Sequence, residues 1–247
     1  MIRGILVLLF AWVLAGCVST GQLADQDMSA LKRSNVAVAF YDDQHILSYR
    51  QDTLLVIAVS SNYSRSSYAG KLDLDKPISD IAANALSSAG VKAKALHSLF
   101  SPTELATLRS SQRAMFPRKG KGSVALELNP VLREALMRAG QDYFVWNTWT
   151  QWGTSIDSQP EIPTVPEYAR TMGLTFLILD TAVRVYDVRT GKMIGAYVPS
   201  GPRSPLASQA DPVGYLESNN FEKFGDLVKE EMTQRFRHRR FLSIFGL

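Results

Sequence analysis

The sequence predicts an α/β (α+β) fold in which helices flank a mixed sheet that contains a long antiparallel hairpin. Runs of β-branched and aromatic residues recur along the chain, and segments with apolar residues at spacings of three and four lie between them. Late in the chain, a glycine turn joins two strand-like runs. With 46% hydrophobic and 20% charged residues, the composition is ordinary for a soluble globular domain. We expect one folded domain after a signal peptide and a flexible tether.

The first strands are predicted from short β-rich runs. Residues 36–41 and 46–50 have this character, and residues 53–60 form a continuous apolar run. A run of that kind is typical of a central strand buried on both faces. Residues 78–89 then have helical spacing between Pro77 and Gly90, which are typical boundary residues of a helix. The pattern predicts a strand followed by a helix that packs on it.

Two further helices are predicted from their capping signals. Ser101 and Glu104 have the spacing of a capping box, and Asn129 precedes Pro130 at the start of a second apolar period. The basic loop between these helices, residues 117–123, is either a solvated connection or an anion site. Its glycines and lysines do not have the spacing of a P-loop.

Residues 142–152 form the most aromatic part of the chain. Strand periodicity places Phe144, Trp146 and Trp152 on one face and Trp149 on the other. One interpretation is an exposed platform, formed by Trp146, Trp149 and Trp152, for glycan strands or a partner protein. The other is a strand that is covered by helices on one side and by a loop on the other.

The last elements are predicted as a hairpin and a terminal helix. Along residues 175–188, Val183 and Val185 alternate with Arg184 and Tyr186, which places the two pairs on opposite faces. Residues 187–192 are expected to form the turn with Gly191 in the left-handed conformation, and residues 193–198 the return strand. The final helix is expected to be capped by Asn219 or Asn220, with this apolar face: Phe221, Phe224, Val228, Met232 and Phe236.

The order of these elements resembles an α/β domain found in several bacterial envelope proteins. These are the amino-terminal domain of the Tol-system propeller protein, the curli-secretion lipoprotein and the lipoproteins that activate peptidoglycan synthases. Their shared Asp-x-x-Thr-Gly hairpin turn matches Asp187, Thr190 and Gly191 here. The resemblance covers about residues 53–237 in element order and implies the fold rather than any one member's activity.

The amino terminus predicts a lipid anchor. Arg3 precedes an apolar run over residues 5–13, and Ala15 and Gly16 directly precede Cys17, the only cysteine. This segment resembles the lipobox of bacterial lipoproteins, which implies cleavage before Cys17 and its diacylation. An ordinary secretory signal and a short buried helix are the alternatives. The expected boundaries are a signal peptide at residues 1–16, a lipidated tether at 17–34 and a periplasmic domain at 35–247.

The residue after Cys17 predicts which of the two membranes holds the lipid anchor. In enteric-type lipoproteins an aspartate there retains the protein in the inner membrane, whereas this chain has Val18. By that family rule we expect the outer membrane, on the side that faces the periplasm.

Charge and residue types exclude several classes of function. The formal net charge of +4 is too small to indicate nucleic-acid binding. Lipidation of Cys17 removes the only thiol from disulfide or zinc chemistry. The histidines have no metal-ligand spacing, so we expect no metal and no cofactor. Asp73 and Asp75 are two residues apart and are either a glycosidase-like pair on one strand face or a solvated strand edge.

The carboxyl terminus allows two interpretations. A group of arginines beside Phe241 and Phe245 suits an anionic membrane surface or a partner's groove. Alternatively, the cations favour the negative helix end and the aromatic residues fold back on the domain.

Together these patterns predict an outer-membrane lipoprotein that is a non-catalytic accessory or assembly factor of the envelope. It would bind a protein partner or peptidoglycan while its lipid anchor binds the membrane. The alternative is a lipid-anchored periplasmic hydrolase that acts on the cell wall. The predicted lipidation residue is Cys17, and the predicted binding surface comprises Trp146, Trp149, Trp152, Phe241 and Phe245.

Overall fold

The structure is a computed structural model, and it describes Leu23, 25–42, 44–54, 58–115, 125–149, 175–177, 181–197, Tyr215 and 218–247. Side chains of residues 25, 45–54, 58–66, 149, 175–177 and 240 are not described. The predicted signal peptide at 1–16, Cys17, Trp152 and the basic loop at 117–123 lie outside these residues. No helix in the described ranges has the length and apolar character that crossing a membrane requires.

The described strands and helices follow the predicted order in most of the chain. The strands are β1 (Asn35–Tyr41), β2 (His45–Leu54), β3 (Ala58–Ser67), β4 (Lys92–Ala95), β5 (Tyr143–Trp149), β6 (Thr175–Leu177), β7 (Thr181–Asp187) and β8 (Met193–Tyr197). The helices are α1 (Asp25–Leu31), α2 (Asp75–Ser88), α3 (Pro102–Ala114), α4 (Pro130–Arg138), α5 (Phe221–Arg237) and α6 (Arg239–Ser243), with a 3-10 turn at Leu96–Ser98.

A mixed five-stranded sheet forms the centre of the fold, as the sequence predicts. Its order is β4-β1-β5-β7-β8, with β1 parallel to β4 and β5 and with β7 antiparallel to both β5 and β8. Helices cover both faces. Apolar side chains of α1, α2, α5 and α6 pack on one face, and those of α3 and α4 pack on the other. The α/β prediction is therefore confirmed.

Alternation along the strands assigns side chains to the two faces. Val145, Val183 and Val185 belong to the core beneath α2 and α5, whereas Trp146 and Tyr186 belong to the core beneath α3 and α4. Both assignments agree with the predicted periodicity, because neighbouring residues of a strand point to opposite faces.

The predicted central strand at residues 53–60 is wrong. Residues 45–54 and 58–67 instead pair antiparallel over ten positions, from His45 opposite Ser67 to Leu54 opposite Ala58. They belong to a second sheet, of order β3-β2-β6. An apolar run has no periodicity that separates one buried strand from the end of a hairpin, and β3 has the serine-rich composition expected of a loop.

Local side-chain contacts explain the tight turn between β7 and β8. Asp187 Oδ1 accepts hydrogen bonds from the backbone N–H groups of Arg189 (2.8 Å) and Thr190 (3.1 Å). Gly191 has a φ of +75°, which favours glycine, and a Cβ there would lie 3.1 Å from Arg133 Cδ. Arg133 Nε also donates to the carbonyl of Val188 at 3.1 Å. The predicted turn is confirmed, and α4 holds it in place.

The capping residues also act as predicted. Ser101 and Glu104 form a complete capping box at α3. The Asn129 side chain accepts from the Val131 N–H at α4, and the Asn220 side chain accepts from the Lys223 N–H at α5. These contacts satisfy N–H groups that lack partners in the first turn of a helix.

The predicted tether at residues 17–34 is too long. Residues 25–31 form α1, and both Leu23 and Leu31 are buried in the core beneath α2 and α5. Gly195 of β8 lies against Leu23, whose Cδ2 would be 2.5 Å from a Cβ at that position. Few apolar residues precede Ser34, but burial of these two leucines is sufficient to attach the segment. The folded part of the chain thus begins by Leu23.

Candidate functional site

The predicted aromatic surface is largely part of the core. Trp146 is 1% exposed beneath α3 and α4, Phe241 is 7% exposed, and Phe245 is fully buried. Phe241 stacks edge-on against Phe236 and Phe245, with ring centroids 4.6 and 5.4 Å apart. These three predicted surface residues therefore have the packing role that was the alternative interpretation. The Trp149 side chain and Trp152 lie outside the described residues.

Buried polar residues, in contrast, converge at one edge of the five-stranded sheet. Within the described ranges they are Asp42, Ser79, Ser111, Gln112, Asn147, Thr148 and Thr181. Asp42 follows β1, Asn147 and Thr148 end β5, and Thr181 opposes Trp149 at the start of β7. We call this region, formed by the ends of β1 and β5, the start of β7 and the adjoining parts of α2 and α3, the carboxyl edge.

The topology gives the carboxyl edge special importance. From β1 the chain proceeds through α2 to β4 on one side, and from β5 it proceeds to β7 on the other. The gap between β1 and β5 is therefore a topological switch point. In open α/β sheets, ligands bind outside the carboxyl ends of the strands at such a point.

A carboxylate cluster connects the elements of this edge. The Asp42 N–H donates to Asp75 Oδ1 at 2.6 Å, and Arg109 of α3 lies 3.0 Å from Asp75 Oδ2. The Tyr68 hydroxyl and the Gln44 N–H both donate to Asp42 Oδ1, at 2.8 Å each. The cluster fixes the exit from β1, the return from β3 and the first turn of α2. Asp73 precedes a helix and Asp75 begins it, so both interpretations that place them on a strand, as a pair on one face or as a solvated edge, are wrong.

Asp75 has a strongly perturbed pKa. Burial raises the pKa of its carboxyl from 3.8 to about 8, because desolvation outweighs the attraction of Arg109. Asp42 and Asp73 raise it further by repulsion, whereas the hydrogen bond from Asp42 lowers it. At neutral pH the carboxyl is thus largely protonated despite its arginine neighbour.

Two amide side chains are buried at the carboxyl edge with unsatisfied atoms. Asn147 is fully buried and donates through Nδ2 to the carbonyl of Ala39 at 3.2 Å, while its Oδ1 has no partner. Gln112 is 5% exposed, and its Nε2 has no partner. A buried polar atom without a hydrogen bond costs about 1–3 kcal/mol. Such atoms are therefore informative about function.

Arg184 is a partly buried cation in the middle of β7 whose side chain reaches the same edge at Thr148. It lies opposite Trp146 across the β5–β7 pair, with its guanidinium carbon 5.5 Å from the centroid of the indole. Its Nη1 donates to Thr148 Oγ1 at 3.2 Å. Desolvation lowers the pKa of the guanidinium. Within the described residues, Arg184 forms no ion pair with a carboxylate.

Metal chemistry receives no support from the described residues. No group of three or more His, Cys, Asp or Glu side chains there could hold an ion. His97 Nε2 lies 3.2 Å from Asp80 Oδ1 on the surface, away from the carboxyl edge.

No protein-family model, curated protein or solved structure matches this chain. The function must therefore be argued from the sequence and from the geometry of the carboxyl edge.

Sequence reasoning did not identify the carboxyl edge, although one signal was present. The alternation along β7 places Arg184 on the same face as Tyr186, which is an apolar and inward-facing position. A cation at an inward strand position is unusual, since charged residues are seldom buried without a partner. The strand pairing that brings Arg184 to Thr148 has no local sequence signature.

Proposed function

We propose that this protein is an outer-membrane lipoprotein that acts as a non-catalytic accessory or assembly factor of the envelope, with the carboxyl edge as its binding site. The lipobox ending at Cys17 is the observation that supports the anchor. Buried and unsatisfied polar groups at a switch point support binding at this edge. The proposed ligand is part of a protein partner or of the peptidoglycan.

The short connection to the anchor places the folded body close to the bilayer. Only five residues lie between Cys17 and the buried Leu23. Even fully extended, the six steps from Cys17 to Leu23 span roughly 20 Å. Confinement to such a thin layer raises the effective concentration of the binding site for partners in the same layer.

A basic surface near the two chain ends suits this placement. Lys32 and Arg33 follow α1, and Arg237 and Arg239 lie where α5 meets α6; all four are exposed. The Lys32 Nζ donates to the carbonyl of Gly246 at 2.9 Å, which joins the two ends of the described chain. Each cation near an anionic leaflet contributes about 1 kcal/mol of attraction. We infer that this surface faces the membrane.

The contacts of the carboxylate cluster fit a structural role better than hydrolysis. A general acid must reach the bond that it protonates, so it needs a free oxygen in the site. In Asp75, Oδ1 accepts from Asp42 and Oδ2 contacts Arg109. The Asp42 carboxyl is 2% exposed and accepts two hydrogen bonds through Oδ1. These contacts favour a structural role over the alternative of a cell-wall hydrolase.

We expect Cys17→Ser to abolish lipidation and cleavage of the precursor. Without the thiol, no diacylglycerol is added and the lipoprotein signal peptidase has no substrate, so the precursor keeps residues 1–16. Fractionation and intact-mass measurement give the distribution and the lipid mass. Ser19→Ala is the matched control and should stay lipidated. If Cys17→Ser remained in the membrane fraction at the mature mass, the proposed anchor would be rejected.

Val18→Asp tests whether the outer membrane holds the anchor, because the family rule predicts that this variant is retained in the inner membrane.

We expect photoreactive groups at Arg33 and Arg237 to crosslink to lipid. The short connection to Cys17 keeps this surface near the headgroups, whereas Met137 is 52% exposed on α4, beyond the other face of the sheet. Mass spectrometry of the adducts after illumination of native membranes distinguishes lipid from protein products. Equal lipid labelling at all three positions would contradict the proposed orientation.

A further inference from the structure

The position of Arg184 is costly for the folded state. A guanidinium has five N–H donors, and the described residues provide one hydrogen bond, to Thr148. The ring of Trp146 covers one face of the group and excludes water from it. A desolvated cation without a counter-ion is unfavourable, and proteins normally place a carboxylate beside it. The other arginine of this edge, Arg109, has such a partner in Asp73, 3.9 Å away, and also contacts the Asp75 carboxyl.

The same face of the carboxyl edge has another unsatisfied donor. Gln112 lies between Leu108 and Met115 on the buried side of α3, and these two residues pack in the core that contains Trp146. Its Nε2 has no hydrogen-bond partner. The α3–α4 side of the switch point is thus rich in donors, while described carboxylates do not balance them there. Hydrogen-bond donors that lack acceptors in the protein can bind the oxygens of an anionic ligand.

We propose that Arg184, held by Thr148, binds the carboxylate group of a ligand at the carboxyl edge. A planar guanidinium pairs with the two oxygens of a carboxylate through parallel hydrogen bonds. One negative charge matches the single positive charge of Arg184, whereas a phosphate dianion would need a second cation. This inference rests on the proposed binding role of the carboxyl edge and names its ligand chemistry. It does not depend on the lipid anchor, so the Cys17→Ser experiment can fail independently.

The direct test is titration of the full-length protein in detergent micelles with acetate, inorganic phosphate and chloride at constant ionic strength. The Arg184 guanidinium resonance, assigned by its loss in Arg184→Met, reports binding in NMR spectra. We expect acetate, which carries a single carboxylate, to shift this resonance saturably and chloride to have no such effect. Arg184→Lys should weaken the binding by about tenfold, because an ammonium cannot form the paired hydrogen bonds. A saturable response to phosphate alone would overturn the carboxylate assignment, and no response to any anion would overturn the site.

A stability measurement separates a ligand-binding arginine from a structural one. Arg184→Met removes an uncompensated cation and keeps the apolar stem, so Tm should rise by about 2–4 °C. Arg133→Met is the matched control, because Arg133 donates to the carbonyls of Val188 and Arg189 at the β7–β8 turn and its loss should lower Tm. If both substitutions lowered Tm equally, Arg184 would be a structural residue and the proposal would fail. Arg184→Lys keeps the titration informative even if Arg184→Met does not fold.

Discussion

Trp146→Ala should lower the free energy of unfolding by about 3–5 kcal/mol. The indole is 1% exposed and packs with Phe144 and Leu132 beneath α3 and α4. Truncation leaves a large cavity in the centre of the sheet and removes the ring beneath the Arg184 guanidinium. Urea unfolding followed by far-UV circular dichroism measures the change without depending on tryptophan fluorescence.

The Trp146 experiment decides between the two interpretations of the aromatic strand. Leu126→Ala is the control, because Leu126 is 58% exposed and its truncation should change stability by less than about 0.5 kcal/mol. A loss at Trp146 as small as that at Leu126 would mean that the indole is accessible in solution. The aromatic platform for glycans or a partner would then replace the packing role.

Much of the five-stranded sheet could be predicted because its signals are local. Ser101 and Glu104 mark a helix start within four residues, and Asp187 to Gly191 specify a turn through contacts between near neighbours. Alternation in β7 requires only that one face of the strand differ from the other. Such patterns are independent of the rest of the fold, so one sequence suffices to find them.

The failed predictions depended on contacts between distant residues. The serine-rich β3 is a strand because β2 pairs with it over ten positions, and its own residues give little β signal. Likewise, the sequence of α1 predicts a tether, because its few apolar residues gain burial only against the core formed by later elements. Tertiary contacts override weak local preferences in both segments.

The carboxyl edge could not be predicted for the same reason. Asp42, Thr148 and Arg184 lie far apart in sequence, and the β1–β5 and β5–β7 pairings bring them to one edge. Neither α2 nor α3 shows by its own pattern that Asp75 and Arg109 meet beside β1. Binding sites assembled at a switch point take residues from several elements, so their signature is the topology.

The second large expected effect concerns Asp75, whose carboxyl makes the stability of the fold depend on pH. Its folded-state pKa of about 8 exceeds the ordinary value of 3.8, so between these values the folded protein binds more protons than the unfolded chain does. The stabilisation from the protonated carboxyl is complete below pH 4 and is lost as the pH rises towards 8. The slope from this one group reaches about 1.4 kcal/mol per pH unit.

Asp75→Asn should therefore flatten the dependence of unfolding free energy on pH between pH 4 and 8. The amide keeps the shape of the protonated carboxyl and can accept from the Asp42 N–H, but it cannot ionise. Asp73→Asn is the matched control, since Asp73 is half exposed and lies 3.9 Å from the same arginine, Arg109. It should leave the slope intact. Urea titrations at several pH values measure both variants.

An unchanged slope in Asp75→Asn would mean that Asp75 is ionised in the folded protein and that its pair with Arg109, rather than burial, sets its charge. In that case the clamp between β1, α2 and α3 would be an ion pair that gains strength as the pH rises, and the stability of the carboxyl edge would have the opposite pH dependence.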